Sequence, residues 1–158
     1  MIRENMLKGM KELNNYYYPY YTRAPQDETL ITNIAKAING EYSAVQCYEQ
    51  LAKMAPTAEV REKISEIRKD EIKHLNTFSQ IYQSLTGKQP TPEMSEECPD
   101  NFKDGLLASF KDEQETVDFY LDIADSTQNP YIRRVFKRAA ADEQNHAVWF
   151  LYYMMENR

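Results

Sequence analysis

One five-residue pattern occurs twice in this 158-residue sequence, as DEIKH at residues 70–74 and as DEQNH at residues 142–146. The two stretches lie 72 positions apart and contain the only two histidines of the chain. A glutamate stands 33 positions before each histidine, Glu41 before His74 and Glu113 before His146. Because side chains three positions apart share one face of a helix, each pattern predicts a Glu and a His that point the same way.

The same offset aligns residues 35–82 with residues 107–154 without a gap. The identical pairs are Glu41/Glu113, Val45/Val117, Tyr48/Tyr120, Ala52/Ala124, Arg61/Arg133, Asp70/Asp142, Glu71/Glu143, His74/His146 and Phe78/Phe150. Most of these positions are spaced by three, four or seven residues, as on one face of a helix. The pattern indicates two copies of one helical hairpin.

Apolar residues recur every three or four positions in four segments, which is typical of bundle helices with one buried face. Pro56-Thr57 and Asn129-Pro130 divide each copy into two helices. Residues 87–100, with three prolines, link the two copies. Fully extended, this linker reaches ~46–50 Å, more than the ~43 Å of a helix over residues 58–86. We therefore expect an all-α four-helix bundle of two antiparallel hairpins joined by a long crossover.

Two zones are expected along the chain. Residues 1–26 form an N-terminal arm rich in Tyr and Pro, and residues 27–157 form the bundle. A Tyr/Pro run cannot occupy a helix interior. We expect the arm to lay its aromatic rings on a surface of this protein or of a partner.

Composition narrows the classes of partner and location. The net charge of −6 and the lack of a basic stripe argue against nucleic acid. The sequence contains no run of 18 apolar residues, so no membrane span is expected. The first residues do not show the apolar stretch of a signal peptide, and a cytoplasmic location is expected. Cys47 and Cys98 have no CxxC spacing, and two cysteines are too few to indicate a disulfide scaffold; we expect Cys47 to be a buried apolar residue and Cys98 to be a loop residue.

The repeated glutamates and histidines predict a metal site. Glu41 and Glu71 lie at similar distances from the turn at Pro56, so an antiparallel hairpin places them in one layer, and Glu113 and Glu143 behave alike in the second hairpin. Four buried carboxylates are costly unless cations or protons neutralise them. Mixed carboxylate and imidazole ligands suit two iron ions or, alternatively, two manganese ions. The predicted ligands are Glu41, Glu71, His74, Glu113, Glu143 and His146.

With these residues the chain resembles the ferritin-like di-iron carboxylate superfamily, whose four helices carry the order Glu, Glu-x-x-His, Glu, Glu-x-x-His. It looks most like the ferritin-like domain of rubrerythrins and bacterioferritin-type centres. The resemblance implies that Glu71 and Glu143 bridge the metals, that Glu41 and Glu113 are terminal ligands, and that each histidine binds one metal.

Three features depart from that family pattern. The sequence has no four-cysteine rubredoxin domain, and Thr116 stands where rubrerythrins carry an additional glutamate. Only twelve residues follow His146, which leaves no room for the fifth helix of cage-forming ferritins. We therefore expect a homodimer rather than a storage shell.

Four residues are predicted to support the ligands. Asp70 and Asp142 precede the histidines by four positions, and metal-bound imidazoles commonly donate their second N–H to a carboxylate. We expect these aspartates to orient the histidines, either within a hairpin or across the repeat; a surface salt bridge is the alternative. Tyr48 and Tyr120 lie two turns beyond the first glutamates and are expected to cap the metal layer by hydrogen bonds, or else to pack in the core.

These features predict a redox protein that oxidises Fe(II) with oxygen or peroxide, as a ferroxidase or as a peroxidase with an external electron donor. A dimanganese catalase is the enzymatic alternative. The non-enzymatic alternative is a metal-stapled bundle whose Tyr/Pro-rich arm docks it into a larger assembly.

Overall fold

The computed structural model describes residues 25–156, and side chains from residue 28 onward. Four helices make up this part of the chain: α1 (Pro25–Met54), α2 (Ala58–Thr86), α3 (Phe102–Ser126) and α4 (Pro130–Glu156). The described residues contain no strand, and the predicted all-α bundle is confirmed. The predicted arm over residues 1–26 falls almost wholly outside the described residues, and the domain division at residue 27 stays a prediction.

The helix ends lie at residues whose side chains cap backbone groups. Thr57 accepts a hydrogen bond from the Val60 N–H at the start of α2, and Asn101 accepts one from Asp104 at the start of α3. Gly87 ends α2 with a φ of 72°, a left-handed conformation that favours glycine. Asn129 accepts hydrogen bonds from the N–H groups of residues 131 and 132. The two predicted turns are confirmed, because local capping chemistry defines them.

The linker between α2 and α3 runs along the outside of α1. The Glu93 N–H donates to the Asn39 side chain, and the Ser95 N–H donates to the Ser43 hydroxyl. These attachments advance along α1 as the linker advances, so the linker crosses the bundle from one end toward the other. The long crossover is confirmed. The short turns make α1 antiparallel to α2 and α3 antiparallel to α4, and the crossover makes α2 and α3 parallel.

Cys98 lies in the linker, as expected, but Cys47 is only half-buried and the two cysteines are linked, which was not expected. Cys47 of α1 and Cys98 of the linker form a disulfide, with their Cα atoms 5.1 Å apart and 51 positions between them in the sequence. The path of the linker explains this link, since it carries Cys98 alongside α1. Sequence spacing alone does not reveal such a contact.

Two apolar clusters form the core, one on each side of the layer of glutamates and histidines. Phe78, Tyr120 and Phe136 dominate the first, with the rings of Phe78 and Phe136 stacked at 4.4 Å. Tyr48 and Phe150 belong to the second, with centroids 5.1 Å apart. The polar layer is therefore sealed above and below by close-packed aromatic rings. None of the four described helices is long and apolar enough to cross a membrane.

Candidate metal centre

All six predicted ligand residues lie in one buried layer, and every helix contributes to it. Their exposed fractions are Glu41 3%, Glu71 1%, His74 9%, Glu113 3%, Glu143 2% and His146 2%. Each side chain occupies an inward position that the helical repeat dictates, between apolar residues one turn before and after it. Such burial of ionisable groups calls for a partner that compensates their charge.

The ligand atoms form two overlapping groups. Glu41, Glu71, His74 and Glu143 make the first, and Glu71, Glu113, Glu143 and His146 make the second, each with ligand atoms within 4.8 Å of one another. Glu71 and Glu143 belong to both groups, whereas the other four residues belong to one. The geometry thus has the form of two adjacent cation sites with two shared carboxylates.

Each histidine directs Nδ1 into the layer. His74 Nδ1 lies 3.0 Å from Glu143 Oε1 and 3.2 Å from Glu71 Oε2. His146 Nδ1 lies 2.8 Å from Glu71 Oε1 and 3.2 Å from Glu143 Oε2. The two copies therefore reproduce one arrangement around a pseudo-two-fold axis, in which each imidazole faces both shared carboxylates.

The predicted tyrosines hydrogen bond to the unshared carboxylates of the opposite hairpin. Tyr48 donates its hydroxyl to Glu113 Oε1 at 2.6 Å, and Tyr120 donates to Glu41 Oε1. Both tyrosines are 2% exposed, so these bonds form in a dry environment where they are strong. Each bond leaves the second oxygen of its carboxylate available as a ligand.

The predicted aspartates lie on the outer side of the histidines, also across the repeat. His74 Nε2 is 3.3 Å from Asp142 Oδ2, and His146 Nε2 is 3.6 Å from Asp70 Oδ2. Arg138 holds Asp142 from outside at 2.7 Å. Since Nε2 faces an aspartate, the inward Nδ1 of each ring is the nitrogen positioned to bind a metal.

The buried charges strongly perturb one another in the metal-free protein. Burial, together with the charges of Glu113 and Glu41, raises the pKa of Glu71 from 4.5 to about 8. Burial and the charge of Glu143 also raise the pKa of Glu113. Burial alone would lower the pKa of His74, but the close carboxylates of Glu143, Glu41 and Glu71 raise it instead. The cluster therefore favours bound protons wherever cations are missing.

Two carboxylate oxygens in the layer identify the missing partner. Glu71 Oε1 and Glu143 Oε1 are buried and accept no hydrogen bond from any described residue, although each lies close to a histidine ring nitrogen. An unsatisfied buried acceptor is rare and costly. Both orphans belong to the two carboxylates that the ligand groups share. The donor set of carboxylate oxygens and imidazole nitrogens thus fits a pair of metal ions.

Asp112 is a half-buried acidic neighbour that the repeat does not predict. Burial and the nearby Glu96 carboxylate raise its pKa to about 8. The offset of 72 pairs Asp112 with Gly40, so the second hairpin has a carboxyl group where the first has no side chain. In the sequence, only its position directly before the ligand Glu113 indicates that Asp112 lies near the centre. This pair breaks the symmetry of the centre on the α1–α3 side.

Comparison with known proteins assigns the family. The sequence model described as rubrerythrin matches residues 32–101 and 104–158. The chain belongs to the rubrerythrin family. This rubrerythrin-family protein is also 61% identical over 140 residues to the Bacillus subtilis (strain 168) protein described as "Uncharacterized protein YhjR". The alignment covers 89% of this chain and 97% of that relative.

Solved structures show the same fold at low sequence identity. Desulfovibrio desulfuricans bacterioferritin, with its diiron site studied in different catalytic states, is 19% identical with a TM-score of 0.73, over 82% of this chain and 80% of that one. A ferritin-like diiron-carboxylate protein from Bacillus anthracis str. Ames is 19% identical with a TM-score of 0.72, over 83% and 99% of the two chains. A hypothetical protein from Pyrococcus furiosus is 22% identical with a TM-score of 0.69, over 80% and 88%. The predicted resemblance to ferritin-like di-iron carboxylate proteins is confirmed.

Proposed function

We propose that this rubrerythrin-family protein binds two iron ions and oxidises Fe(II) with oxygen or peroxide, as a ferroxidase or a peroxidase-like enzyme. The observation that carries the proposal is the pair of overlapping ligand groups that share Glu71 and Glu143. Two cations at these positions would satisfy both orphan oxygens and neutralise the buried carboxylates. Iron bound there would supply one-electron redox chemistry and open positions for an oxidant.

The residues of the chain contribute position and charge. Glu41 and Glu113 would each hold one ion while Tyr48 and Tyr120 fix their orientation. Asp142 and Asp70 would keep the imidazoles in the tautomer that directs a free Nδ1 lone pair inward. The aromatic rings above and below exclude bulk water from the layer.

The space beside the centre favours a very small oxidant. A cavity of about 20 Å³ reaches Glu41, Glu71, Glu113 and Glu143 from the α1–α3 side. That volume holds about one water-sized molecule. Dioxygen and hydrogen peroxide are of this size, whereas an organic substrate has no room next to the carboxylates on this side.

The test begins with metal stoichiometry. Wild-type protein loaded anaerobically with Fe(II) is expected to bind two ions per chain. The combined Glu71→Gln and Glu143→Gln variant preserves shape but removes both shared carboxylates, and it should lose at least one ion. Glu62→Gln changes an exposed residue of the same helix as Glu71 and serves as the matched control. Two tightly bound ions in the double variant would show that the metal site is elsewhere.

Reactivity is then measured by adding oxygen or hydrogen peroxide separately to the Fe(II)-loaded protein. We expect ferric absorption to appear faster in wild-type protein than in the double variant. The oxidant that reacts faster, oxygen or peroxide, indicates which of the two the protein uses. Loading with Mn(II) and measuring oxygen release from peroxide tests the catalase alternative. A protein that binds two ions yet accelerates neither reaction would support the metal-stapled bundle instead. The homodimer, the external electron donor and the cytoplasmic location stay predictions.

A further inference from the structure

Residues 93–99 of the crossover form a strap that is fastened to α1 at three positions. The Asn39 side chain accepts the Glu93 N–H at 3.0 Å, the Ser43 hydroxyl contacts Ser95 at 2.8 and 3.0 Å, and Cys47 is disulfide-bonded to Cys98. The three α1 positions are four residues apart and therefore share one face of the helix. The strap is therefore attached to α1 by a row of three contacts rather than by one.

The strap lies over the groove between α1 and α3. Ser95 and Glu96 line a cavity of about 190 Å³ together with Gly40, Thr116 and Tyr120. Glu96, Glu97 and Pro99 line a second cavity, of about 30 Å³, whose wall includes Tyr48.

Below the strap, these cavities share lining residues with a smaller cavity that contacts the centre. Gly40, Thr116 and Tyr120 also line the 20 Å³ cavity that reaches the glutamates, and so does Tyr48. The strap is thus the outermost layer on this route, with the groove beneath it and the ligands at the bottom. A solute that approaches from the α1–α3 side has to pass it.

The disulfide is the dominant fastening. The strap has no secondary structure, and residues 93–97 are exposed. Each hydrogen bond at such a site contributes little net free energy, whereas every ordered residue of the strap costs backbone entropy. Two hydrogen-bonded positions cannot offset the ordering of seven residues, so the covalent bond keeps the strap in place.

We propose that the Cys47–Cys98 disulfide is a redox-controlled latch on the α1–α3 entrance to the metal centre. A thiol or phosphine reductant supplies two electrons, and with two protons the S–S bond becomes two thiols while the reductant is oxidised. The strap then detaches from α1, and metal ions and chelating solutes pass through the groove more rapidly. Because Cys47 and Cys98 are the only cysteines of the chain, no other thiol competes for the bond.

The proposal rests on the proposed metal binding, so the first measurement is made without metal. Backbone hydrogen exchange of the strap, read at the hydrogen-bonded amides of Glu93 and Ser95, is followed by mass spectrometry in oxidised protein, in protein reduced with a phosphine, and in the Cys47→Ala plus Cys98→Ala variant. We expect exchange to accelerate at least tenfold in the last two samples, with the reductant without effect on the variant. Circular dichroism checks that all samples keep the four helices. Unchanged exchange upon reduction would overturn the latch, whatever the metal data show.

The second measurement follows transfer of anaerobically bound Fe(II) to the chelator ferrozine. Reduced protein and the double-alanine variant are expected to release iron at least tenfold faster than oxidised protein. Equal release rates despite a freed strap would overturn the claim that this groove is the entrance. If the strap is freed but no chain binds iron, the proposed function fails while the strap measurement stands, so the two failures are distinguishable.

Discussion

In the metal-free protein, a rise in pH ionises buried carboxyl groups that repel one another, and this repulsion lowers the stability of the fold. Four carboxylates and two protonated imidazoles carry a combined charge of −4 + 2 = −2 when all are ionised. In the unfolded chain the Glu71 carboxyl titrates near its ordinary pKa of 4.5, whereas in the folded metal-free protein burial and neighbouring glutamates raise this pKa to about 8. Between these values the folded state binds more protons than the unfolded state, so its stability falls as the pH rises.

The size of this loss follows from the pKa difference. A shift from 4.5 to about 8 is 3.5 units, and at 1.36 kcal/mol per unit it corresponds to about 5 kcal/mol. The raised pKa values of His74 and His146 act in the same direction. Their stabilising contribution is complete below the ordinary value of 6.5 and declines as the pH rises above it. Because domains are stable by only about 5–15 kcal/mol, the effect is large.

Urea unfolding of chelator-treated protein, followed by circular dichroism from about pH 5 to about pH 8, measures this dependence. We expect the free energy of unfolding to decrease by about 3–5 kcal/mol across the series. Glu71→Gln replaces one strongly perturbed carboxyl group by a neutral amide of the same shape, so the free energy of unfolding of this variant should decrease less over the same pH range. A metal-free wild-type stability that is constant or rises over this range would refute the electrostatic account of the centre.

Metal-loaded protein should behave in the opposite way. Its ligands must be deprotonated, so added metal displaces protons and binds more tightly as the pH rises. The difference in unfolding free energy between loaded and metal-free protein is therefore expected to widen from about pH 5 to about pH 8. A difference independent of pH would indicate that bound metal does not replace protons on these carboxylates.

Three further predictions concern single side chains. Tyr48→Phe and Tyr120→Phe each remove a buried hydrogen bond to a carboxylate. Each should lower the unfolding free energy of metal-loaded protein by about 1–3 kcal/mol in urea titrations. A large effect in only one of the two variants would contradict the pseudo-symmetry of the centre. Asp142→Asn should weaken metal affinity about 10–100-fold in chelator competition, whereas the exposed Asp118→Asn should not. Phe78→Ala should cost about 3–5 kcal/mol in thermal or urea unfolding, because Phe78 is fully buried in a ring stack.

The ligand layer was predictable because one physical rule fixed each step. Helical spacing determined which side chains share a face, and the turns at Pro56 and Pro130 determined which layers coincide. The repeat then supplied the second half of the cluster from the first. Even the crossed contacts, such as Tyr48 to Glu113, follow from two similar hairpins packed face to face.

The cover of the centre could not be predicted in this way. Linker length shows that the crossover can span the bundle but not which helix it follows, and that choice brought Cys98 to Cys47. Asp112 was not predicted as part of the centre for a related reason. The repeat pairs it with Gly40, so the two positions are not identical and the repeat does not mark them. Local periodicity carries no information about contacts that only one copy makes.

This difference between the copies has a chemical consequence. The ligands themselves are two equivalent halves, so they cannot make one metal position or one direction of approach special. The single crossover does, since it places a strap on the α1–α3 side, where α3 also contributes the extra carboxyl group of Asp112. The α2–α4 side has instead an open cavity of about 600 Å³ beside His74 and Asp142, with Lys73 and Arg138 at its wall. If two ions bind to this centre, any functional asymmetry between them has to originate in these unequal surroundings rather than in the ligand set.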